Sequence, residues 1–553
     1  MKQHDEIKLL EQLIYKEEKK LISSYPADNF QKKIILFSLL KDFDTYHLFT
    51  NDKDKYRHHY EFGWLKALVL IYGDYVNEEK YPLFKSEEKM LGFAHWFIIS
   101  AGQIEFCRKI IDFINAGLAT AYLNEKKIIV EFNNIGVKEE FDRDTFHWVR
   151  NLVHEHICSP EIKKILKEVE IIRKKMRPLV DKWRVHYIQY DTTPEIDNVF
   201  EKFAYYQLFA FEEKEEFGQD SLFGGILYSK YCEFVKVVCG IALKHYYFCL
   251  ELYDKYKGEI NFPDIITITK DREGFIQSIS NYLDVTVNDS EQLLDSLTLC
   301  PENIGYHSRR FRPVPSPYVK IADNSLVQSI VGSQSNPYDF LNHELRRRYE
   351  KDYFRAVNDR EKTFRNQLYN MFEENNYIKI EKSIAFKSSK GASDIDAAIY
   401  DKDSEVLGIF QLKWQEMYGA SMKERYSRIT NLYPKTVEWI DKVETWINES
   451  DPRDELKKFG VNCKRSPIKV LLFVICRHAA FFTGNEPDKR AAWSSVWLIL
   501  KIFSRMPRGI PNKLKVLHDL VHQEYSAVSN AKQDLDGESF IIGEYEVYSK
   551  FAQ

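Results

Sequence analysis

Gly391 to Gln415 reads GASDIDAAIYDKDSEVLGIFQLKWQ, an acidic pair entering an apolar run, a polar turn at Asp401 to Ser404, then a second run carrying Gln411 and Lys413. Side chains on a strand alternate between faces, so Asp394, Asp396 and Ala398 are expected on one face and Ile395, Ala397 and Ile399 on the other. In the second run Ile409, Gln411 and Lys413 point one way and Phe410, Leu412 and Trp414 the other. If the turn closes a hairpin, a carboxylate, an amide oxygen and an ammonium surround one small volume.

Those three groups suit metal-assisted hydrolysis of a phosphodiester. A hard cation such as Mg²⁺ or Mn²⁺ takes oxygen ligands and keeps several waters. Asp396 is the first expected ligand, with the Gln411 side-chain oxygen or the Leu412 backbone carbonyl as another. Lys413 then orients the attacking water and offsets charge growing on the phosphate. The bland alternative is that Asp, Gln and Lys simply line the solvent face of an antiparallel hairpin.

Asp396 followed after a turn by Gln411-Leu412-Lys413 resembles the PD-(D/E)xK nuclease superfamily, in particular its restriction-type and Mrr-like branch with Gln in the second motif. The resemblance implies a core of helix, three strands, helix and strand. Arg360 to Asn375 has Phe364, Leu368, Met371 and Phe372 at helical spacing. Ile378 to Phe386 reads as a first strand, Lys423 to Ile447 as a long helix and Ile468 to Cys476 as a final apolar strand. Glu361, near the start of the first helix, matches the glutamate that approaches the metal through water in that superfamily.

Two departures stand out. Residue 395 is Ile rather than Pro, so the acid is aligned to Asp396 with Asp394 as the other claimant. Gln411 replaces a charged ligand, which lowers the negative charge of the site and its metal affinity. What the resemblance implies is a Mg²⁺-dependent endonuclease, with DNA favoured over RNA and a setting in restriction or antiviral defence.

The rest of the 553 residues bounds this picture. Such a length predicts two or three domains. The net charge of −4 excludes a general nucleic-acid coat, so any basic footprint is local. Two arginine clusters are candidates for tracking phosphates: Arg309, Arg310 and Arg312, then Arg346, Arg347 and Arg348. Salt bridges with neighbouring acids such as Glu344 and Glu350 are the competing role. Eight cysteines show no C-x-x-C pair, and Cys232 and Cys239 read as buried packing. The charged N-terminus is no signal peptide, and no apolar run is long enough for a bilayer, so the expectation is a cytoplasmic protein without membrane contact.

The fold expected is α+β. Residues 1–300 form a mostly helical regulatory or recognition module with a hairpin near Lys126 to Phe132, and 301–349 a Pro-rich connector with short strands. Residues 350–485 form the restriction-endonuclease-like core, and 486–553 helices and a strand or hairpin appended to it. The helical module contains a rival motif. Arg150-Asn151 followed by His156 resembles the arginine-to-histidine motif of HEPN ribonucleases, which implies metal-independent cleavage with His156 moving the proton and Arg150 stabilising phosphate charge. At about a hundred degrees per residue, however, His154 lies nearer the face of Arg150. Two further readings keep no catalysis: an inactive nucleic-acid-binding protein and a helical interaction protein. Paired cuts in a duplex need two active sites, which gives a homodimer or a partner protein as the expected assembly.

Overall fold

The computed structural model describes residues 3–25, 29–50, 56–72, 84–132, 135–153, 155, 159–209, 217–257, 259–310, 314–381, 383–414, 422–458, 461, 468–480, 486–507, 509–529 and 537–551. The protein is a mixed α+β chain with a helix-rich N-terminal region and several small sheets. No described helix is long and apolar enough to cross a membrane.

The largest sheet has five strands in the order Tyr377–Ile380, Ala397–Asp401, Val406–Lys413, Lys469–Cys476, Ala491–Ser495. The first three pair antiparallel and the last two join in parallel. The connection from Val406–Lys413 to its parallel neighbour passes through the long Met422–Glu449 helix, as parallel pairing requires. Helices cover both faces, which explains why VLLFVIC in the fourth strand is apolar throughout rather than alternating. One face buries Ala397, Ile399, Phe410 and Phe473 against Phe364 and Leu368 of the Glu350–Asn370 helix. The other buries Ala398, Ile409 and Val474 against Trp439, Ile440 and Val443 of Met422–Glu449. Phe410 and Phe473 stack across the parallel pair with ring centroids 4.6 Å apart.

The turn of the central hairpin is held by its own first residue. Asp401 Oδ1 accepts from the Asp403 backbone N–H at 3.0 Å and its Oδ2 from the Ser404 hydroxyl at 2.6 Å, the local bonding that suits Asp to turns. Glu405 completes the reversal at φ 52°.

Three expectations are corrected. Ile378 to Phe386 is not one strand: Tyr377–Ile380 joins the large sheet, while Ile384–Ser388 pairs with Gly391–Ile395 in a separate hairpin. The acidic run is likewise two strands with a bend at Asp396, so Ile395 and Ala398 enter the same core and the alternation slips by one. Third, Arg490 to Phe503 reads as one helix in the sequence, whereas Ala491–Ser495 is an edge strand of the sheet and only Val496–Arg505 is helical.

The segment boundaries also differ from expectation. Within 301–349 the strands Tyr318–Ala322 and Ser325–Gln328 form a four-stranded sheet with Ile268–Asp271 and Thr298–Leu299, and the helix Pro337–Arg348 buries Leu341 and Leu345 among residues of the helical region. This stretch is part of that region's core rather than a connector. The final hairpin, Glu538–Ile542 with Tyr545–Phe551, does not extend the large sheet. It pairs in parallel with Lys127–Phe132, itself in a hairpin with Ala119–Asn124, and Val547 sits in the N-terminal core. In the opposite direction, Phe146 and Val149 of the Ile135–Val153 helix belong to the core of the five-stranded sheet. Each half of the chain thus lends an element to the other.

Candidate active site

Asp396 stands at the bend where the chain leaves the side hairpin for the large sheet. Ala397 pairs with Phe410, so the preceding residue comes opposite Gln411. Its side chain is 5% exposed, and its Oδ2 accepts two hydrogen bonds, from the Gln411 amide nitrogen and from the Leu412 backbone N–H at 2.6 Å. With the nitrogen of Gln411 spent on Asp396, the amide oxygen is left as the ligating atom, as a metal role requires.

The bend removes the Asp396 carbonyl from a regular ladder, and Arg365 replaces the missing partner by donating to it at 3.0 Å. One turn further along the same helix, the Tyr369 hydroxyl accepts from Ala398 N–H at 3.2 Å and donates to the Ile380 carbonyl. The two side chains hold the backbone on which the acid is presented. Arg365 lies four residues after Glu361, the spacing that puts both on one face of the helix.

Burial pushes the Asp396 carboxyl up to about 6 from an ordinary 3.8. The Leu412 hydrogen bond and the Lys413 charge oppose that rise, Glu361 adds to it and Gln411 lowers it. A buried acid thus feels both the Lys413 ammonium and the Glu361 carboxylate. Among the described residues neither of those two groups is engaged in an ion pair or hydrogen bond with another side chain. Lys413 is half-buried and Glu361 exposed. Asp394 is exposed on the side hairpin, and its carbonyl accepts from the Trp439 indole N–H at 2.8 Å.

Beside Glu361 opens a half-enclosed cleft of about 380 Å³, lined by Val357, Asn358, Glu361, Phe364, Leu412 and Trp414. It lies between the first helix and the end of the strand that carries Gln411 and Lys413. Beyond Trp414 the guanidinium carbons of Arg360 and Arg477 each lie 5.4 Å from its ring centroid.

Among the described residues, no three His, Cys, Asp or Glu side chains gather closely enough to form a metal cage. Asp396 and the Gln411 amide oxygen are the donors at the bend, and the Glu361 carboxylate stands at the adjacent cleft beside Leu412 and Trp414. That all-oxygen set fits a hard cation that keeps much of its water, rather than a closed zinc-type site.

The other sequence candidates fall elsewhere. Arg310 is buried and donates to Asp339 at 2.9 Å; Arg347 grips Glu344 through a bond of 3.0 Å from its Nε; Arg348 lies 3.3 Å from Asp295. These three form the ion pairs that were the competing role for the arginine clusters. Arg346 places its guanidinium 5.7 Å from the Tyr353 ring, and Arg309 is exposed. Arg312 and His156 lie outside the described residues. Arg150 is half-buried on the Ile135–Val153 helix.

Arg365 and Tyr369, which hold the backbone of the site, and Asp142, which holds the turn after the neighbouring strand, escaped sequence reasoning. The first two carry a faint signal, a polar stripe on an amphipathic helix at Glu361, Arg365 and Tyr369. Asp142 carries none, because its partner Ala480 is 338 positions away.

No family model, no curated protein and no solved structure matches this chain.

Proposed function

We propose that the protein is a divalent-metal-dependent nuclease that hydrolyses phosphodiester bonds, with DNA the favoured substrate. The observation that carries this reading is Asp396: a buried acid at a strand bend, bonded by Gln411 and Leu412 and acted on by the charges of Lys413 and Glu361. Its setting supports the same reading. A helix, three antiparallel strands of which the first is separated from the second by the side hairpin of residues 384–395, the Met422–Glu449 and Pro452–Lys458 helices and a parallel strand occur in that order. Apart from the inserted hairpin and the extra short helix, it is the order expected of a PD-(D/E)xK core.

In this reading Asp396, ionised, and Gln411 would hold a Mg²⁺ or Mn²⁺ ion, with Glu361 as the supporting carboxylate at the cleft. A bound divalent cation there supplies Lewis acidity toward the phosphate and a more acidic water. Lys413 orients the attacking water and offsets negative charge on the phosphoryl oxygens, an interaction strongest in the transition state. Glu361, exposed at the cleft, accepts hydrogen bonds from water on the substrate side. Arg365 keeps the Asp396 backbone in place.

The test is incubation of the full-length protein with linear duplex, circular duplex and single-stranded DNA and with RNA, under Mg²⁺, Mn²⁺ or chelator. Cleavage of at least one DNA under metal and none under chelator is expected. Equal cleavage in chelator would transfer the activity to a metal-independent site.

A further inference from the structure

We infer that Asp142, carried by the Ile135–Val153 helix of the N-terminal half, is a positioning residue for the proposed active site: it fixes the turn that follows the Lys469–Cys476 strand, and through that turn the end of the strand bearing Lys413. The inference rests on the nuclease reading above and adds to it a residue from the part of the chain assigned by sequence to regulation.

The geometry is a short chain of bonds. Lys413 and Cys476 are partners in the parallel ladder. The next residue, Arg477, donates its backbone N–H to the Lys413 carbonyl at 2.8 Å. Three positions later the Ala480 N–H donates to Asp142 Oδ2 at 2.8 Å. The turn between Cys476 and Ala480 is therefore pinned at one end by Lys413 and at the other by Asp142.

The helix that brings Asp142 here is firmly seated. Phe146 and Val149 are buried with Trp497 and Leu498, and the rings of Phe146 and Trp497 meet edge to face at 4.9 Å. Asp142 itself is 3% exposed. A carboxylate is costly to bury, and an apolar side chain would fill the same space without that cost. What the side-chain oxygen adds is direction: a hydrogen bond fixes the position of a loop amide more sharply than packing does.

The location gives that rigidity a use. Open α/β sheets bind ligands beyond the carboxyl ends of their parallel strands, which is where this turn and Lys413 lie. Electrostatics agree with the proximity. Burial pushes the Cys476 thiol up to about 12, the Asp142 charge raises it further and the Lys413 charge lowers it, so both groups act on one sulfur.

The test compares wild type, Asp142→Ala and Asp142→Asn as full-length proteins. Initial rates of Mg²⁺-dependent DNA cleavage are measured alongside hydrogen exchange of peptides covering 406–414 and 469–480. Asn retains an oxygen to accept from Ala480, so it should keep kcat within about threefold of wild type. Ala should lower kcat by about 10- to 100-fold with KM within about twofold, the signature of a displaced catalytic group rather than lost substrate contact. Exchange should quicken in both peptides for Ala and in neither for Asn.

Equal exchange in all three proteins overturns the inference, as does a kcat for Ala equal to wild type. An Asn variant as slow as Ala also overturns it, because charge rather than position would then be what Asp142 supplies. If wild type cleaves nothing under any metal, the nuclease reading fails, and unchanged exchange in Asp142→Ala would separately remove the positional claim.

Discussion

Leu412 donates its backbone N–H to Oδ2 of Asp396 at 2.6 Å, so the acid is tied to the residue lying between Gln411 and Lys413. This bond sets the relative position of the groups expected to share a metal. The acid it holds is also buried, with a consequence for pH.

Burial raises the Asp396 carboxyl to about 6 in the folded protein from 3.8. A raised folded value favours the native state fully below about pH 4, and that contribution is lost as pH rises through about 6. Asp396→Asn does not titrate, so its stability relative to wild type should increase between pH 4 and pH 7.5, by at most about 3 kcal/mol for a shift of this size. Chemical unfolding in chelator at both pH values measures this. A difference that stays flat or reverses would remove the burial account.

The same titration governs metal. If Mg²⁺ binds the ionised carboxylate as proposed, wild-type cleavage should fall as pH drops below about 6 and the midpoint should move lower with rising Mg²⁺. Wild type should also gain thermal stability from Mg²⁺ at pH 7.5, and Asp396→Asn should gain much less. Equal gains in both proteins would place the cation elsewhere.

Tyr369 bridges two strands at the bend through Ile380 and Ala398. Tyr369→Phe leaves buried backbone groups without that partner and should cost about 1–3 kcal/mol in unfolding free energy. Cleavage should fall with it, because the strand start that presents Asp396 loosens. Unchanged stability would mean that the hydroxyl is dispensable.

Arg310 distinguishes structural from phosphate-facing arginines. It is buried and paired with Asp339. Arg310→Ala should destabilise by about 1–3 kcal/mol because Asp339 loses its guanidinium partner and keeps His343 at 3.3 Å. The salt dependence of DNA binding should not change, since no phosphate contact is lost. A reduced salt slope with unchanged stability would restore the phosphate role.

The terminal hairpin supplies two of the four strands of the N-terminal sheet and buries Phe540, Ile542 and Val547 in its core. Truncation after Ser529 should therefore damage the opposite end of the chain. Removing three buried apolar side chains predicts a loss of more than about 4 kcal/mol. Limited proteolysis should then cut within 84–132, and resistance equal to wild type would show that the hairpin is not needed there.

The hairpin at residues 397–413 was legible because its turn chemistry and two-residue alternation are local. The faces of Gln411 and Lys413, and of Phe410 and Leu412, follow from the same alternation and agree with the two cores. The slip at Asp396 was not legible, since both halves of GASDIDAAI suit a strand and only the partner strands separate them. Amphipathic helices such as Ile135–Val153 reveal an apolar face without revealing what covers it. The same limit hid the parallel pairing of Tyr545–Phe551 with Lys127–Phe132, where alternating apolar residues announce a strand but no neighbour. Among the arginines, Arg347 and Glu344 stand three apart and could be read as a pair, whereas Arg348 and Asp295 meet only in the fold.

The most direct test of the central claim is the cleavage rate of Lys413→Ala against wild type on the same DNA under saturating Mg²⁺. In the proposed role the ammonium offsets charge on the phosphate and orients water, so its removal should lower the rate by at least about 100-fold while the thermal unfolding midpoint stays within a few degrees. A Lys413→Ala protein that cuts as fast as wild type would contradict the assignment of this site.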